Sequence, residues 1–207
     1  MTYIFDFDGT LVDSMPTFAN AMVEIFRQEN LPMPDDFVKI ITPLGYKGTA
    51  QYAIKCGYTK DADTFVKNAA AAMVPAYFYD IPLKADVYEK LQQLKKEGHS
   101  LNVLTASPHV VLDPCLKRVG VYDLFDHVWS CEDFGLTKAD VLLYEKVAAA
   151  LNETLKDCIF LDDNIGSVST AKKAGMTAVA VYDSTSEDMV EEMKSVSDRY
   201  IYSFAEL

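Results

Sequence analysis

The stretch of sequence that decides the fold is Tyr3-Ile4-Phe5-Asp6-Phe7-Asp8-Gly9-Thr10-Leu11-Val12-Asp13-Ser14. Its first three residues form a short, continuously apolar run that ends at an acid, which is typical of a central strand buried on both faces. Asp6 and Asp8 then stand at positions i and i+2, where an extended chain points both side chains the same way. Gly9 allows a sharp turn directly afterwards. The pattern predicts a buried strand that brings two acids to its carboxyl end.

Further short apolar runs follow this strand, and helical patterns separate them. The runs cover residues 101–104, 128–129 (the weakest), 159–161 and 178–181, and residues 199–202 could add an edge strand. The first helical pattern, Val87, Leu91 and Leu94, stops at Gly98, a good helix C-cap. Alternating strands and helices predict an α/β fold, a Rossmann-like, doubly wound parallel sheet covered on both faces. Sites in such sheets lie at the carboxyl ends of the strands.

A different pattern occupies the segment between the first strand and residue 82. This segment is helical without a convincing strand, and its first apolar stripe consists of Phe18, Met22, Ile25 and Phe26. Pro16 and Pro82 mark its two ends. The sequence therefore predicts a core domain made of residues 1–13 and 82–207, with a helical cap domain of residues 14–81 inserted into it.

Acidic residues outnumber basic ones by 31 to 19, which gives the 207-residue chain a formal net charge of −12. Binding to nucleic acid or anionic lipid normally relies on clustered Lys and Arg, so neither partner is expected. The first residues do not read as a secretory signal, and no apolar stretch approaches the ~20 residues of a membrane span. The four cysteines are scattered, which is typical of a cytoplasmic protein with reduced thiols. We also expect a monomer or weak homodimer.

Two strand ends carry paired acids. Asp6 and Asp8 would repel each other unless a cation or a shared proton lay between them. An EF-hand is excluded because Gly stands fourth in the loop and Thr17 twelfth. Asp162-Asp163 follows another apolar run; alone, such a pair is more often a cap or turn. Two acidic strand ends together predict an oxygen-lined site suited to Mg²⁺.

An anion-binding half is expected beside these acids. The segment Thr105-Ala106-Ser107-Pro108 offers a hydroxyl and backbone amides at a helix start, which suits phosphate oxygens, although an ordinary N-cap explains it equally well. Lys138 also lies at a predicted helix start, where a cation opposes the macrodipole. It is therefore a candidate to face an anion, with a surface lysine as the alternative. Ser107 and His109 have no positioned acid in the sequence, so a hydrolase triad is not expected.

These pieces resemble the haloacid dehalogenase (HAD) superfamily, in the group of small helical (C1) caps that contains phosphoglycolate phosphatases and β-phosphoglucomutases. Asp6 and Asp8 match its first motif, Thr105 its second, Lys138 its third and Asp162-Asp163 its fourth. Two positions depart from the pattern. Ala139 stands where many relatives have proline, and Asp-Asp-Asn replaces Gly-Asp-Ser or Glu-Asp-Ser in the fourth motif, which leaves open whether Asp162 is an inner or outer metal ligand.

The resemblance implies a role for each matching residue. Asp6 is the expected nucleophile and Asp8 the general acid and base. The expected Mg²⁺ ligands are Asp6, the main-chain carbonyl of Asp8 and Asp163, with Asp162 close by. The expected phosphate contacts are Thr105, Ala106 and Lys138.

The start of the helical segment, residues 13–16, is most similar to the small-cap phosphatases that act on phosphoglycolate and related metabolites. The sugar phosphomutases of the group carry a cap histidine where this chain has Phe18, which favours transfer to water. We therefore expect a Mg²⁺-dependent phosphatase of small phosphorylated metabolites. A sugar phosphomutase and a catalytically silent phosphate-binding protein are the alternatives. Residues 44–48 could form a flexible specificity loop with Lys47 near the substrate, or an ordinary interhelical turn, and Ser107 is a second specificity candidate.

Overall fold

Six parallel strands form a single sheet in a computed structural model that describes the backbone of residues 1–207 and the side chains of all of them except Pro43. The strands are β1 (Thr2–Phe5), β2 (Ser100–Thr105), β3 (His127–Ser130), β4 (Cys158–Asp162), β5 (Thr177–Val181) and β6 (Arg199–Ile201). Their order is β3-β2-β1-β4-β5-β6, so β1 is central. The predicted α/β fold with a parallel sheet is confirmed.

Nine α-helices accompany the sheet in the described part of the chain. Four lie between β1 and the next core helix: α1 (Met15–Gln28), α2 (Phe37–Ile41), α3 (Gly45–Lys55) and α4 (Ala62–Tyr79). The other five are α5 (Val87–Lys96), α6 (His109–Arg118), α7 (Val141–Ala150), α8 (Ile165–Ala174) and α9 (Val190–Val196). No helix among the described residues is both long and apolar enough to cross a membrane.

The central strand is buried on both faces, as its apolar run predicts. Ile4 belongs to one hydrophobic cluster and Phe5 to the other, because successive side chains of a strand point to opposite faces. Phe5 is in register with Val103 of β2 and Leu161 of β4. The residues that follow these three strands therefore arrive at the same edge of the sheet.

The inserted helices pack through the predicted apolar stripe. Phe18, Met22 and Phe26 of α1 are buried, and the Phe26 ring lies 4.5 Å from the Phe37 ring. These helices occupy the segment for which a separate cap domain is predicted; the division at residues 14 and 81 stays a prediction. Helix α4 continues through Pro75 and packs against α6 of the core.

Residues 44–48 do not form the expected loop or interhelical turn, because α3 begins at Gly45. The buried side chains of Thr49, Ala50 and Ala53 fix this helix against its neighbours. Gly48 lies inside the helix, where a Cβ would be only 2.7 Å from the Leu44 side chain. The close approach of the Leu44 side chain from the preceding turn, and not flexibility, accounts for that glycine.

Candidate active site

Asp6 follows β1 directly and is buried at the carboxyl edge of the sheet. Its backbone N–H donates to the carbonyl of Leu161 at 2.8 Å, which extends the pairing of β1 with β4. The Lys138 ammonium contacts Oδ1 of Asp6 and donates to Oδ2 of Asp162 at 2.8 Å. Burial opposes the charge of Lys138, but Asp162 and Asp6 prevail and raise its pKa well above the usual value. The three side chains form one buried charged group.

Lys138 does not stand at a helix start as predicted. It precedes α7 by three residues, and its carbonyl accepts a hydrogen bond from the hydroxyl of the buried Tyr144 at 3.0 Å. The Tyr144 hydroxyl also lies 3.1 Å from the carbonyl of Ser167 in α8, so the two carbonyls share its single hydrogen. A buried tyrosine, and not a helix terminus, therefore fixes the backbone that carries this lysine.

Asp6, Asp162 and Asp163 form a carboxylate cluster in which one oxygen from each lies within 4.8 Å of the others. Burial, and then the charge of Asp6, raises the pKa of Asp162 to about 7. Burial and the charges of Asp162 and Asp6 raise the pKa of Asp163 well above its usual value. Lys138 alone does not balance this buried negative charge, so the cluster is suited to a further cation.

The local backbone is built around the Asp163 carboxylate. Thr10 donates its hydroxyl to Oδ1 of Asp163 at 3.0 Å. Gly9 has φ +72°, and a Cβ there would lie 2.3 Å from Oδ2 of Asp163. Oδ1 of Asp6 is buried and makes no hydrogen bond, although it contacts the lysine. Hard carboxylate oxygens in this arrangement fit the Mg²⁺ ion that the sequence predicts.

Asp8 has both carboxylate oxygens engaged. Tyr77 of α4 donates its hydroxyl to Oδ1 at 2.6 Å, and the Ser107 hydroxyl donates to Oδ2. Burial raises the pKa of Asp8; the hydrogen bonds from Ser107 and Tyr77 oppose this, and the charge of Asp6 adds to it. Tyr77 was not predicted from the sequence, because its partner Asp8 lies 69 residues away and no local pattern marks it. Thr10, which follows Gly9 and donates to Asp163, was not predicted as a site residue either.

The segment after β2 forms the expected helix start. Thr105 is buried, and its Oγ1 accepts a hydrogen bond from the backbone N–H of Ser107 at 3.1 Å. Ala106 lines the cavity described below, and α6 begins two residues after Ser107. The hydroxyl of Ser107, predicted as a specificity contact, is directed to Asp8 instead of standing free.

His109 has the acid neighbours that the sequence did not reveal. Its Nδ1 lies 2.8 Å from Asp113 and its Nε2 lies 2.9 Å from Asp133. The expectation that no acid is positioned near it was therefore wrong. Both ring nitrogens contact carboxylates, and Ser107 donates to Asp8, so these residues do not form a nucleophilic triad.

A cavity of about 670 Å³ lies over the carboxylate cluster, between the sheet edge and the inserted helices. Every predicted site residue lines it: Asp6, Asp8, Lys47, Thr105, Ala106, Ser107, Lys138, Asp162 and Asp163. The inserted helices contribute apolar side chains, Met15, Phe18, Val66 and Ala70 among them, and the exposed lysines Lys47 and Lys67. One wall is thus charged and the other largely apolar.

The structure thus places a cluster of buried carboxylates at the carboxyl edge of a parallel sheet in an α/β fold. A family model for haloacid dehalogenase-like hydrolases matches residues 3–181. The match spans most of the 207 residues, and the chain belongs to this family. The resemblance drawn from the four motifs is confirmed.

Named relatives extend along the whole chain. A phosphoglycolate phosphatase of Caulobacter vibrioides is 28% identical over 216 residues, which cover 100% of this chain and 88% of the relative. A solved structure described as a predicted phosphoglycolate phosphatase from Haemophilus somnus aligns with a TM-score of 0.82 and 22% identity, over 99% of this chain and 95% of that one. A structure assigned as a β-phosphoglucomutase from Thermotoga maritima aligns with a TM-score of 0.76 and 20% identity, over 100% and 96%. This structural likeness shows the fold alone.

Proposed function

We propose that the protein is a Mg²⁺-dependent phosphatase that hydrolyses small phosphorylated metabolites through an aspartyl-phosphate on Asp6. One observation carries the proposal. The buried carboxylate of Asp6 lies against the Lys138 ammonium and beside Asp162 and Asp163, at the floor of a cavity that Asp8 also lines. The phosphatase named among the relatives supports the same reaction class.

The proposed metal ligands are Asp6, Asp163 and the main-chain carbonyl of Asp8, with Asp162 close by. Three acids with oxygens within 4.8 Å of one another, only partly neutralised by one lysine, supply the hard donors and the excess negative charge that Mg²⁺ requires. When bound, Mg²⁺ neutralises charge on the transferring phosphoryl group.

Asp6 acts as the nucleophile in this proposal. Its carboxylate attacks the phosphorus atom while the bond to the leaving alkoxide breaks, which divides a difficult hydrolysis into two easier steps. Lys138 and the helix start at Thr105 and Ala106 bind the phosphoryl oxygens and hold the group in line. Attack of water on the aspartyl-phosphate then releases inorganic phosphate.

Asp8 moves the protons in both steps. It donates a proton to the leaving alkoxide and then accepts one from the attacking water. Its raised pKa, caused mainly by burial, favours the protonated form that the first step needs. Tyr77 and Ser107 fix the orientation of its two oxygens.

The cavity suits a small substrate whose phosphate lies at the sheet edge. Lys47 and Lys67 line the part contributed by the inserted helices, where they could bind a second anionic or polar group. Phe18, at the position of the mutase histidine, is buried and lies 5.2 Å from the Tyr46 ring in an edge-on contact. An apolar ring cannot relay a proton to a bound sugar, which favours hydrolysis over isomerisation. We take residues 14–81 as the cap in this proposal.

A phosphate-release screen tests the function. The purified protein is incubated with phosphoglycolate, sugar phosphates, nucleotides and acyl phosphates, with Mg²⁺ or with EDTA. We expect Mg²⁺-dependent phosphate release and no isomerised sugar phosphate. Asp6→Asn should abolish release, whereas Asp123→Asn, an exposed acid outside the site, should retain it. Substantial turnover by folded Asp6→Asn protein would exclude the proposed nucleophile, and turnover in EDTA would exclude the metal requirement.

A further inference from the structure

Lys84 is a largely buried lysine that the proposed reaction does not use. Its ammonium donates to the carbonyl of Gly9 at 2.6 Å, to the carbonyl of Tyr182 at 2.6 Å and to Oδ2 of Asp183 at 3.0 Å. The Lys84 side chain is 17% exposed and that of Asp183 only 1%. All three ammonium hydrogens thus have protein partners, although just one of these partners is charged.

The backbone that carries Lys84 joins α4 to α5 and pairs with the opposite connection, which leads into α1. Lys84 N–H donates to the carbonyl of Leu11 at 3.0 Å, and Asp13 N–H donates to the carbonyl of Pro82 at 3.0 Å. Val12 and Leu83 form an antiparallel bridge between them. The ammonium therefore projects from a place where both connections are held together.

Among these partners, Gly9 links Lys84 to the carboxylate cluster, because Gly9 also contacts Asp163. Its Cα faces Asp163 so closely that a Cβ would lie 2.3 Å from Oδ2. Its N–H donates to the carbonyl of Val12 at 3.0 Å. The Gly9 residue is thus held between the Asp163 carboxylate and the Lys84 ammonium.

We propose that Lys84 is a positioning residue for the metal site: it fixes the Gly9 carbonyl and thereby the spacing between the Asp8–Gly9 backbone and the Asp163 carboxylate. This inference rests on the proposed Mg²⁺ site. Partners that orient ligand-bearing groups typically change metal affinity by ~10–100-fold when they are removed. Loss of the Lys84 contact should therefore weaken Mg²⁺ binding.

Electrostatics alone predicts the opposite result. A positive charge near the site repels Mg²⁺, so removal of Lys84 should tighten binding, whereas removal of the Asp183 charge should weaken it. Both charges act on the site. Burial and the charges of Asp162 and Asp6 have the largest effects on the pKa of Asp163, and beyond these Asp183 raises that pKa and Lys84 lowers it. The sign of the change in affinity thus separates positioning from a simple charge effect.

Isothermal titration with Mg²⁺, in the absence of substrate and at a temperature where each variant is folded, tests the inference. We expect Lys84→Met to raise the Mg²⁺ dissociation constant by about 10-fold or more. Lys172→Met is the matched control, because Lys172 also donates to a backbone carbonyl, that of Ser197 at 3.0 Å, and pairs with Asp198 at 3.1 Å away from the site. Its dissociation constant should equal that of the wild type.

Lys84→Met leaves Asp183 buried without its cation and could prevent folding. The double variant Lys84→Met/Asp183→Asn removes this problem, keeps the net charge of the pair at zero and retains an acceptor for the Thr185 N–H. We expect the same loss of Mg²⁺ affinity from it. Affinity that is unchanged or higher in the double variant overturns the role of Lys84 and leaves the proposed phosphatase intact. A wild-type chain that binds no Mg²⁺ contradicts the metal site itself and this inference with it.

Discussion

The hydroxyl of Tyr77, carried by an inserted helix, lies 2.6 Å from Oδ1 of Asp8, which follows the central strand. The proposed acid and base is therefore oriented in part by a residue outside the sheet. The Tyr77 ring also stacks on Phe7, with 5.8 Å between ring centroids. A mutation that removes only the Tyr77 hydroxyl therefore tests the hydrogen bond to Asp8 without removing the ring packing on Phe7.

Tyr77→Phe should retain the stacking and lose the hydrogen bond to Asp8. Because a general acid and base contributes ~10²–10⁴-fold and this change leaves Asp8 in place, we expect kcat to fall by about 10-fold with a nearly unchanged melting temperature. Steady-state kinetics on the best substrate of the screen measures the effect. Tyr79→Phe, an exposed tyrosine two residues further along, is the control. A kcat equal to that of the wild type would show that Tyr77 does not orient Asp8.

Gly9→Ala should disrupt the metal site more than it disrupts the fold. The new Cβ would lie 2.3 Å from Oδ2 of Asp163, at a backbone φ of +72°. Gly120 has a similar φ of +78°, but a Cβ there meets nothing within 4 Å. Gly120→Ala thus carries the backbone strain alone, of about 1 kcal/mol.

We expect both glycine variants to lose thermal stability and only Gly9→Ala to lose Mg²⁺-dependent turnover. The expected loss is about 100-fold or more, which is the size of the effect when one electrostatic stabilising group is removed from an active site. Thermal melts and phosphate release, measured on both proteins, check this. Equal activity of the two variants would mean that Asp163 tolerates displacement and is not a metal ligand.

The part of the site that could be predicted from sequence is the part that follows strand ends. Asp6, Asp162 and Thr105 each end or follow an apolar run, and parallel strands align their carboxyl ends, so these residues converge by topology. The contacts of Tyr77 and Lys84 depend on how distant helices and connections pack, which no local spacing encodes. Lys138 was identified, but its position before α7 depends on the buried Tyr144 hydroxyl and could not be inferred from helix signals.

His109 should make the stability of the protein depend on pH. Hydrogen bonds to Asp113 and then Asp133 raise its pKa above the usual value. A folded-state pKa above the unfolded one of ~6.5 means that the protonated histidine stabilises the fold fully below that pH. This contribution is lost as the pH rises through the folded-state pKa. Because the side chain is 41% exposed, solvent screening keeps the effect small.

The measurement for His109 is the melting temperature of wild type and His109→Gln between about pH 5 and pH 9, a range that begins below the unfolded-state pKa of ~6.5 and extends above it. We expect the wild type to be the more stable protein at the acidic end, and the difference to shrink as the pH rises. His127→Gln, which alters an exposed histidine on β3, is the control for a general loss of charge. A difference that grows with pH would contradict the assigned direction of the pKa shift.

Lys138→Met should lower both the stability of the metal-free protein and the rate of turnover. Without the ammonium, Asp6 and Asp162 face each other as unbalanced buried acids, so we expect lower thermal stability in EDTA and a partial recovery when Mg²⁺ is added. In the proposed mechanism the Lys138 ammonium also binds the transferring phosphoryl group. Its loss should therefore lower kcat by ~10²–10³-fold even at saturating Mg²⁺. Lys95→Met, which breaks the exposed pair with Asp126, should change neither kcat nor the stabilisation by Mg²⁺. A wild-type kcat in the Lys138→Met protein would contradict the proposed placement of the phosphoryl group beside Asp6. If Mg²⁺ stabilised the wild type but not this variant, the proposed placement of the ion beside Asp6 would be contradicted.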